Sequence, residues 1–116
     1  MNEVDEAAVI ERFRNAAGRL VLDGEPQGYV TTYVRPYWSI GHPFRRQVRV
    51  WFRFNLDGGE LVEIEDYGPG WWTVREALRG VISIDGETEM TVTWLEGAER
   101  EQVWAAFSAD VPDELR

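Results

Sequence analysis

The 116-residue sequence contains no cysteine and no lysine, and it has a single histidine. Without cysteine the chain can form no disulfide, no thiolate nucleophile and no cysteine-ligated metal centre. No apolar run approaches the ~20 residues that cross a bilayer, and the acidic start of the sequence differs from the basic start of a signal peptide. We therefore expect a cytoplasmic protein with no membrane contact.

Negative charge dominates the composition, because 21 acidic residues outnumber 12 arginines and give a formal net charge of −9. The resulting field repels phosphate, so we expect no binding to nucleic acid. Hydrophobic residues make up 44% of the chain, enough for the core of a domain of this length. No linker or repeat interrupts the sequence, which predicts a single domain over residues 1–116.

The periodicity of the apolar residues predicts an α+β fold. Val4–Leu20 has its apolar residues at helical spacing, which predicts an amphipathic helix with Asn2 placed to cap it. Strict alternation then predicts strands, and Pro36 is expected to end the first of them or to lie at a sheet edge. The predicted strands are Tyr29–Arg35, Val48–Phe54 and Leu61–Asp66.

The Asp57-Gly58-Gly59 turn joins the last two of these strands, and it pairs Phe52 with Ile64. Further along, Trp71–Arg79 is predicted to be a short helix. The next hairpin keeps its apolar residues on one face only if Ile82 pairs with Met90 across a loop of three or more residues.

A last helix is predicted over Ala98–Ala109. The element order is therefore α-β-β-β-α-β-β-α, with about five antiparallel strands in one sheet and the helices packed on one of its faces. That arrangement leaves the second face of the sheet carrying rings and guanidinium groups. Its residues are Tyr29, Tyr33, Arg35, Arg49, Trp51 and Arg53.

Adjoining rings on an open sheet face are typical of contact surfaces, and Trp, Tyr and Arg dominate interface hot spots. We therefore identify these six residues, together with Trp71 and Trp72, as candidate partner-binding residues. The alternative is that the rings and guanidinium groups stack on one another over a solvated sheet, with Glu63 and Glu65 as counter-charges. Trp71 and Trp72 are adjacent, so we expect one to be buried and the other exposed.

Signals for catalysis are weak. His42 has no neighbouring pattern that would build a triad or a metal site, and it is interpreted as a loop residue. The acidic clusters lack the ligand run of a calcium loop and are interpreted as solvated edges. We therefore predict no catalytic residue, no cofactor and no metal, and a protein that is not an enzyme.

The element order and the acidic composition resemble two groups of small bacterial proteins. One is the type III secretion chaperones, which are dimeric and wrap a segment of a cargo protein; the other is the immunity proteins and antitoxins, which cap a toxin. No motif specific to either group is present, so the resemblance assigns no role to any residue. It implies a protein partner, and the negative charge implies that this partner has a basic surface.

The leading hypothesis is thus a protein-binding domain of the immunity-inhibitor, antitoxin or secretion-chaperone kind. Two alternatives stay open. One is a small-ligand-binding or enzymatic domain with a pocket near Tyr33, His42, Trp51 and Glu65. The other is a homodimer in which the aromatic face is the dimer interface.

Overall fold

A computed structural model describes the backbone of residues 5–39 and 42–116 and the side chains of these ranges outside 37–46. The strands described form one antiparallel sheet in the order β4-β3-β2-β1-β6-β5. The elements are α1 (Glu6–Phe13), β1 (Ala17–Leu22), β2 (Glu25–Ser39), β3 (His42–Leu56), β4 (Leu61–Tyr67), α2 (Trp72–Leu78), β5 (Val81–Ser83), β6 (Glu89–Trp94), α3 (Gly97–Phe107) and a 3-10 turn (Asp113–Leu115). The α+β class and the single antiparallel sheet are confirmed.

The predicted first helix is too long, and a sixth strand was missed. α1 ends at Phe13, and the chain turns at Asn15, whose φ of 54° is left-handed. β1 then runs between β2 and β6. Leu20 lies in β1 and is fully buried. The apolar residues that predicted one long helix therefore belong partly to α1 and partly to β1. Asp5 caps α1 by accepting a hydrogen bond from the Ala7 N–H, whereas Asn2 lies outside the described residues.

β2 and β3 form a hairpin that extends past both of its neighbours. β1 pairs with β2 only as far as Thr31, and β4 pairs with β3 only as far as Arg49. Pro36 was expected to end the strand or lie at an edge, and it lies within β2, opposite Val48, on such an edge. The Thr32 N–H points to the β1 side of β2, since it donates to Ala16 O. Backbone directions alternate along a strand, so the nitrogen of Pro36 points to the same side. β1 has already ended there, and none of the described strands takes its place. The missing N–H of proline therefore costs no ladder hydrogen bond there.

The β3–β4 register is the predicted one. Phe52 pairs with Ile64, and Arg53 pairs with Glu63. The helix predicted over Trp71–Arg79 is present as α2, and Ile82 pairs with Met90 across a five-residue loop. These predictions are confirmed because the turn residues and a single buried face allow only one register.

The apolar core lies between one face of the sheet and the helices α1 and α2. Its rings include Phe13 of α1, which meets Phe52 edge to face at 5.6 Å. Thr32 anchors the end of α1 to the sheet, since its hydroxyl donates to Phe13 O and accepts from the Ala16 N–H. The buried members of this core are Val9, Phe13, Leu20, Val30, Val50, Phe52, Phe54, Trp71, Val74, Ala77, Ile82, Met90 and Val92.

α3 packs on the opposite face of the sheet, so the prediction that all helices cover one face is wrong. Its residues Trp104 and Phe107 contact Tyr33 and Tyr29, which point away from the core of α1 and α2. None of the α3 residues is fully buried, and its apolar residues form no strong stripe. The second face is nevertheless covered along the length of this helix.

Candidate binding surfaces

α3 covers part of the predicted aromatic face. Tyr33 is completely buried and Arg53 is only 6% exposed. Both side chains were expected to lie open to a partner, and that expectation is wrong because α3 and the residues after it lie over them. Tyr29 and Trp51 are half-buried, as are Arg35 and Arg49. The predicted six residues therefore do not form one open surface.

Arg53 joins the sheet to the end of α3. Its guanidinium donates to both carboxylate oxygens of Asp110 (2.8 and 2.6 Å) and to Phe107 O (2.8 Å). The Asp110 carboxylate raises the pKa of Arg53, and the guanidinium in turn lowers the pKa of Asp110. Planar, two-pronged pairing of this kind fixes orientation as well as charge. Arg53 is therefore a structural residue that holds α3 against the sheet.

A hydrogen-bonded ring cluster lies beside this ion pair. Tyr33 Oη is 2.5 Å from Ser108 Oγ and 3.1 Å from Thr31 Oγ1. The Tyr33 ring contacts Trp51 and Trp104, with centroid distances of 4.9 and 5.5 Å. Two of the residues predicted to contact a partner thus contact each other within the fold. The stacking alternative expected such ring contacts over a solvated sheet, but Tyr33 is completely buried beneath α3.

Arg49 is held by the edge strand β4. Its guanidinium lies 3.5 Å from the Glu65 carboxylate, which also accepts a hydrogen bond from the Tyr67 hydroxyl. That hydrogen bond raises the pKa of Tyr67. Glu65 is one of the two glutamates predicted as counter-charges, and here it neutralises an arginine of the predicted face.

Trp71 and Trp72 differ as expected. Trp71 is 4% exposed and belongs to the core, while Trp72 is 79% exposed. Trp71 has a left-handed backbone (φ 48°), which turns two adjacent indoles in different directions. A Cβ on Gly68 would lie 2.7 Å from Trp71 Nε1, so a glycine is required at this close approach.

Asp66 fixes the start of α2 beneath these tryptophans. Its carboxylate is nearly buried and accepts a hydrogen bond of 2.8 Å from the Val74 N–H in the first turn. Burial raises the pKa of Asp66, and the backbone hydrogen bonds oppose that shift. The Asp66 carboxylate thus satisfies a first-turn backbone N–H of α2 from outside the helix.

Exposed apolar side chains lie along β4 and at the start of α2. Leu61 and Tyr67 are 42% and 37% exposed, respectively, and Trp72 follows them. Glu63 and Glu65 lie between Leu61 and Tyr67 on the same face of the strand, and both glutamates are exposed. We call these five residues the β4–α2 edge: β4 supplies its negative charge, and the contacting helix α2 supplies its exposed indole.

A pocket of about 410 Å³ opens where β2 runs past the end of its pairing with β1. Three arginines and an indole contribute to its walls, and the Trp104 Nε1–H donates to Thr32 O at the inner end. The Arg100 guanidinium is adjacent, since it donates to the carbonyl oxygens of Arg14 and Asn15. The lining residues are Arg14, Asn15, Val34, Arg35, Pro36, Trp104 and Arg116.

This pocket differs from the one proposed from the sequence, because its lining includes neither Tyr33, Trp51 nor Glu65. The side chain of His42 lies outside the described residues. Arg35 is the one member of the predicted face that this pocket includes. Sequence reasoning missed the other arginines, since the chain brings them together from the α1–β1 turn, from α3 and from the C-terminal segment.

Neither a metal-binding cluster nor a membrane-spanning helix is present in the described ranges, 5–39 and 42–116. They contain no group of three or more histidine, aspartate or glutamate side chains arranged to hold a metal ion. No helix within them has the length and apolar character to cross a membrane. Asp85, the first residue of one acidic cluster, caps its own loop by accepting from the N–H groups of Glu87 and Thr88.

Comparisons with known proteins add no relative. No family model matches the chain, and no curated protein or solved structure resembles it significantly.

Proposed function

We propose that this protein is a non-catalytic binding domain that acts by protein–protein interaction, and that its β4–α2 edge receives a partner with a basic surface. An immunity inhibitor, an antitoxin or a secretion chaperone acts in this way. The observation that carries the proposal is the 79% exposure of Trp72. An exposed indole leaves apolar surface in water, and Trp is enriched among the hot-spot residues of protein interfaces.

The negative charge of β4 and of the whole chain favours a basic partner. Glu63 and Glu65 are exposed on β4, the strand that α2 contacts, and the whole chain has a net charge of −9. A field of this sign accelerates association with a positively charged protein and slows association with an acidic one. The same glutamates oppose a homodimer through β4, because two copies of this strand would bring like charges together.

Trp72 is more accessible to a partner than the residues of the predicted face. Trp51 is engaged with Tyr33, and Arg53 is engaged with Asp110, so neither is free to leave the fold for a partner. Trp72 is 79% exposed, so little of its indole packs against the rest of the fold. Removing its indole therefore changes the surface without opening the core.

The test begins with capture of proteins from a lysate of the native host on immobilised wild-type protein, followed by titration of the purified partner. Trp72→Ala is expected to raise the dissociation constant about 30-fold, which corresponds to about 2 kcal/mol. Leu78→Ala is the matched control, because Leu78 is a second exposed apolar residue of α2 (48%). Its dissociation constant is expected to stay near the wild-type value.

Measurements at different salt concentrations distinguish long-range attraction by the acidic residues from direct contact by the Trp72 indole. Association should slow as ionic strength rises, while Trp72→Ala should act mainly on dissociation. Unchanged affinity for Trp72→Ala would overturn the proposal. A self-associated complex as the only species captured, seen by mass measurement in solution, would favour the homodimer instead.

A further inference from the structure

The pocket beside β2 concentrates positive charge on an acidic protein. Arg14, Arg35 and Arg116 line it, and Arg100 lies next to it through hydrogen bonds to Arg14 O and Asn15 O. Four of the 12 arginines are thus gathered around one cavity, although acids outnumber arginines in the whole chain. This local excess of positive charge on an acidic protein is typical of a site that binds an anion.

Two of these arginines lack a counter-charge. Arg116 pairs with Asp113, but neither Arg14 nor Arg35 forms an ion pair or a side-chain hydrogen bond within the described part of the chain. Arg35 also lies directly opposite Arg49 across the β2–β3 ladder. Like charges in that position destabilise a sheet, and the ion pair with Glu65 belongs to Arg49. The fold therefore holds Arg35 in an unfavourable arrangement that a bound anion would relieve.

The other walls of the pocket supply complementary chemistry. Trp104 offers an indole surface, and Val34 and Pro36 add apolar groups from β2. The Val34 N–H faces the cavity side of the strand, because backbone directions alternate from Thr32, whose N–H donates to Ala16 O. The volume of about 410 Å³ lies within the range of small-molecule sites.

We propose that this pocket binds a small organic anion, whose carboxylate or phosphate group pairs with Arg14 and Arg35 and whose flat apolar part lies against Trp104. Arginine suits this role because its planar fork matches both oxyanions. The proposal goes beyond the protein–protein interaction described above and does not depend on it, since the β4–α2 edge shares no residue with the pocket.

The experiment titrates the ¹⁵N-labelled full chain with three probes and follows the indole N–H signal of Trp104 by NMR. Benzoate and phenyl phosphate present the two oxyanions on a flat ring, and benzamide is the uncharged probe of similar shape. Fragments of this size bind in about the millimolar range. Both anions are expected to bind saturably and at least about tenfold more tightly than benzamide.

Charge-removing variants then locate the site. Arg14→Gln and Arg35→Gln are each expected to weaken binding of the anions about tenfold, with the remaining amide spectrum unchanged. Arg79→Gln is the control, since Arg79 is an exposed arginine at the end of α2. Binding of only one of the two anions would still support the proposal and would identify the oxyanion.

Three results would overturn it. They are the absence of saturable binding for both anions, equal affinity for benzamide, and equal affinity of Arg35→Gln, Arg14→Gln and Arg79→Gln. If Arg35→Gln fails to fold, Arg14→Gln decides the outcome, because Arg14 is exposed on a turn and its side chain forms no hydrogen bond or ion pair with the described residues. None of these results bears on whether Trp72 anchors a protein partner.

Discussion

The two faces of the sheet are covered by helices in different ways. On one face, α1 and α2 bury a continuous set of apolar side chains, among them Phe13 and Phe52. On the other face, α3 has no fully buried residue, and hydrogen bonds, ring contacts and the Arg53–Asp110 pair hold it in place. Apolar burial is non-directional, whereas paired polar groups fix one geometry. α3 is therefore held to the sheet less strongly than α1 and α2, but in a more precisely defined orientation.

The largest expected effect comes from the same substitution made on each face. Phe52→Ala should lower the free energy of unfolding by about 3–5 kcal/mol, because Phe52 is completely buried and a cavity remains. Phe107→Ala removes a half-buried ring that touches Tyr29, and we expect a loss of less than half as much. Urea unfolding measures both values. Equal losses would contradict the difference between the faces.

Removing the guanidinium of Arg53 should have the next largest effect. Arg53→Ala is expected to cost about 1–3 kcal/mol, because it breaks three hydrogen bonds that tie the end of α3 to the sheet. Arg53→Lys is the informative control, since it keeps the charge and loses the planar fork. Amide hydrogen exchange should accelerate in α3 and stay unchanged in α1. Uniform acceleration across both helices would show that the two faces are not held independently.

The smallest effect is a pH dependence of opposite sign on the two faces. Arg53 lowers the pKa of Asp110, so that contribution to stability is present above the unfolded pKa of about 3.9 and is lost as the pH falls through the folded pKa. Burial raises the pKa of Asp66, so its contribution is present below the unfolded pKa and is lost as the pH rises through the folded pKa.

Unfolding free energies measured between pH 3 and pH 7 separate the two carboxylates. Asp110→Asn should remove part of the stability that the wild type loses on acidification, which flattens the curve. Asp66→Asn should make the loss on acidification steeper, because the opposing gain disappears. Curves parallel to that of the wild type for both variants would contradict the assigned pKa shifts.

Much of the fold could be predicted where turn chemistry and alternation agree. The pairing of Phe52 with Ile64 follows from Asp57-Gly58-Gly59 and one buried face. β1 was missed although a signal for it exists: Asp23 and Gly24 both have positive φ and form a two-residue hairpin turn between Leu22 and Glu25. An Asp-Gly pair is a hairpin signal as much as a helix stop.

The covering of the second face could not be predicted from the sequence. The α3 residues that contact the sheet, Trp104 and Phe107, belong to no strong apolar stripe, so periodicity gave no reason to place that helix there. Tyr33 and Arg53 have the composition of an interface because they form one, but their partner is a helix of the same chain. The contrast between Trp71 and Trp72 was predictable, since two adjacent indoles cannot share one core position.

The arginine pocket depends entirely on tertiary structure. Arg14, Arg35 and Arg116 are far apart in the sequence, and none of them lies in a recognisable motif. They meet because β2 continues beyond β1 and leaves a gap that the α1–β1 turn and Trp104 close. A pocket of this kind can be predicted only when the lengths of the neighbouring strands are known.

Hydroxyl-radical footprinting of the tryptophans, read by mass spectrometry, tests the account most directly. α3 covers the second sheet face, and Trp72 is 79% exposed. Trp72 should therefore be oxidised many times faster than Trp71 and clearly faster than Trp104 and Trp51. Comparable oxidation of Trp51, Trp104 and Trp72 would mean that α3 does not cover the sheet, and the assignment of the contact surface would fail.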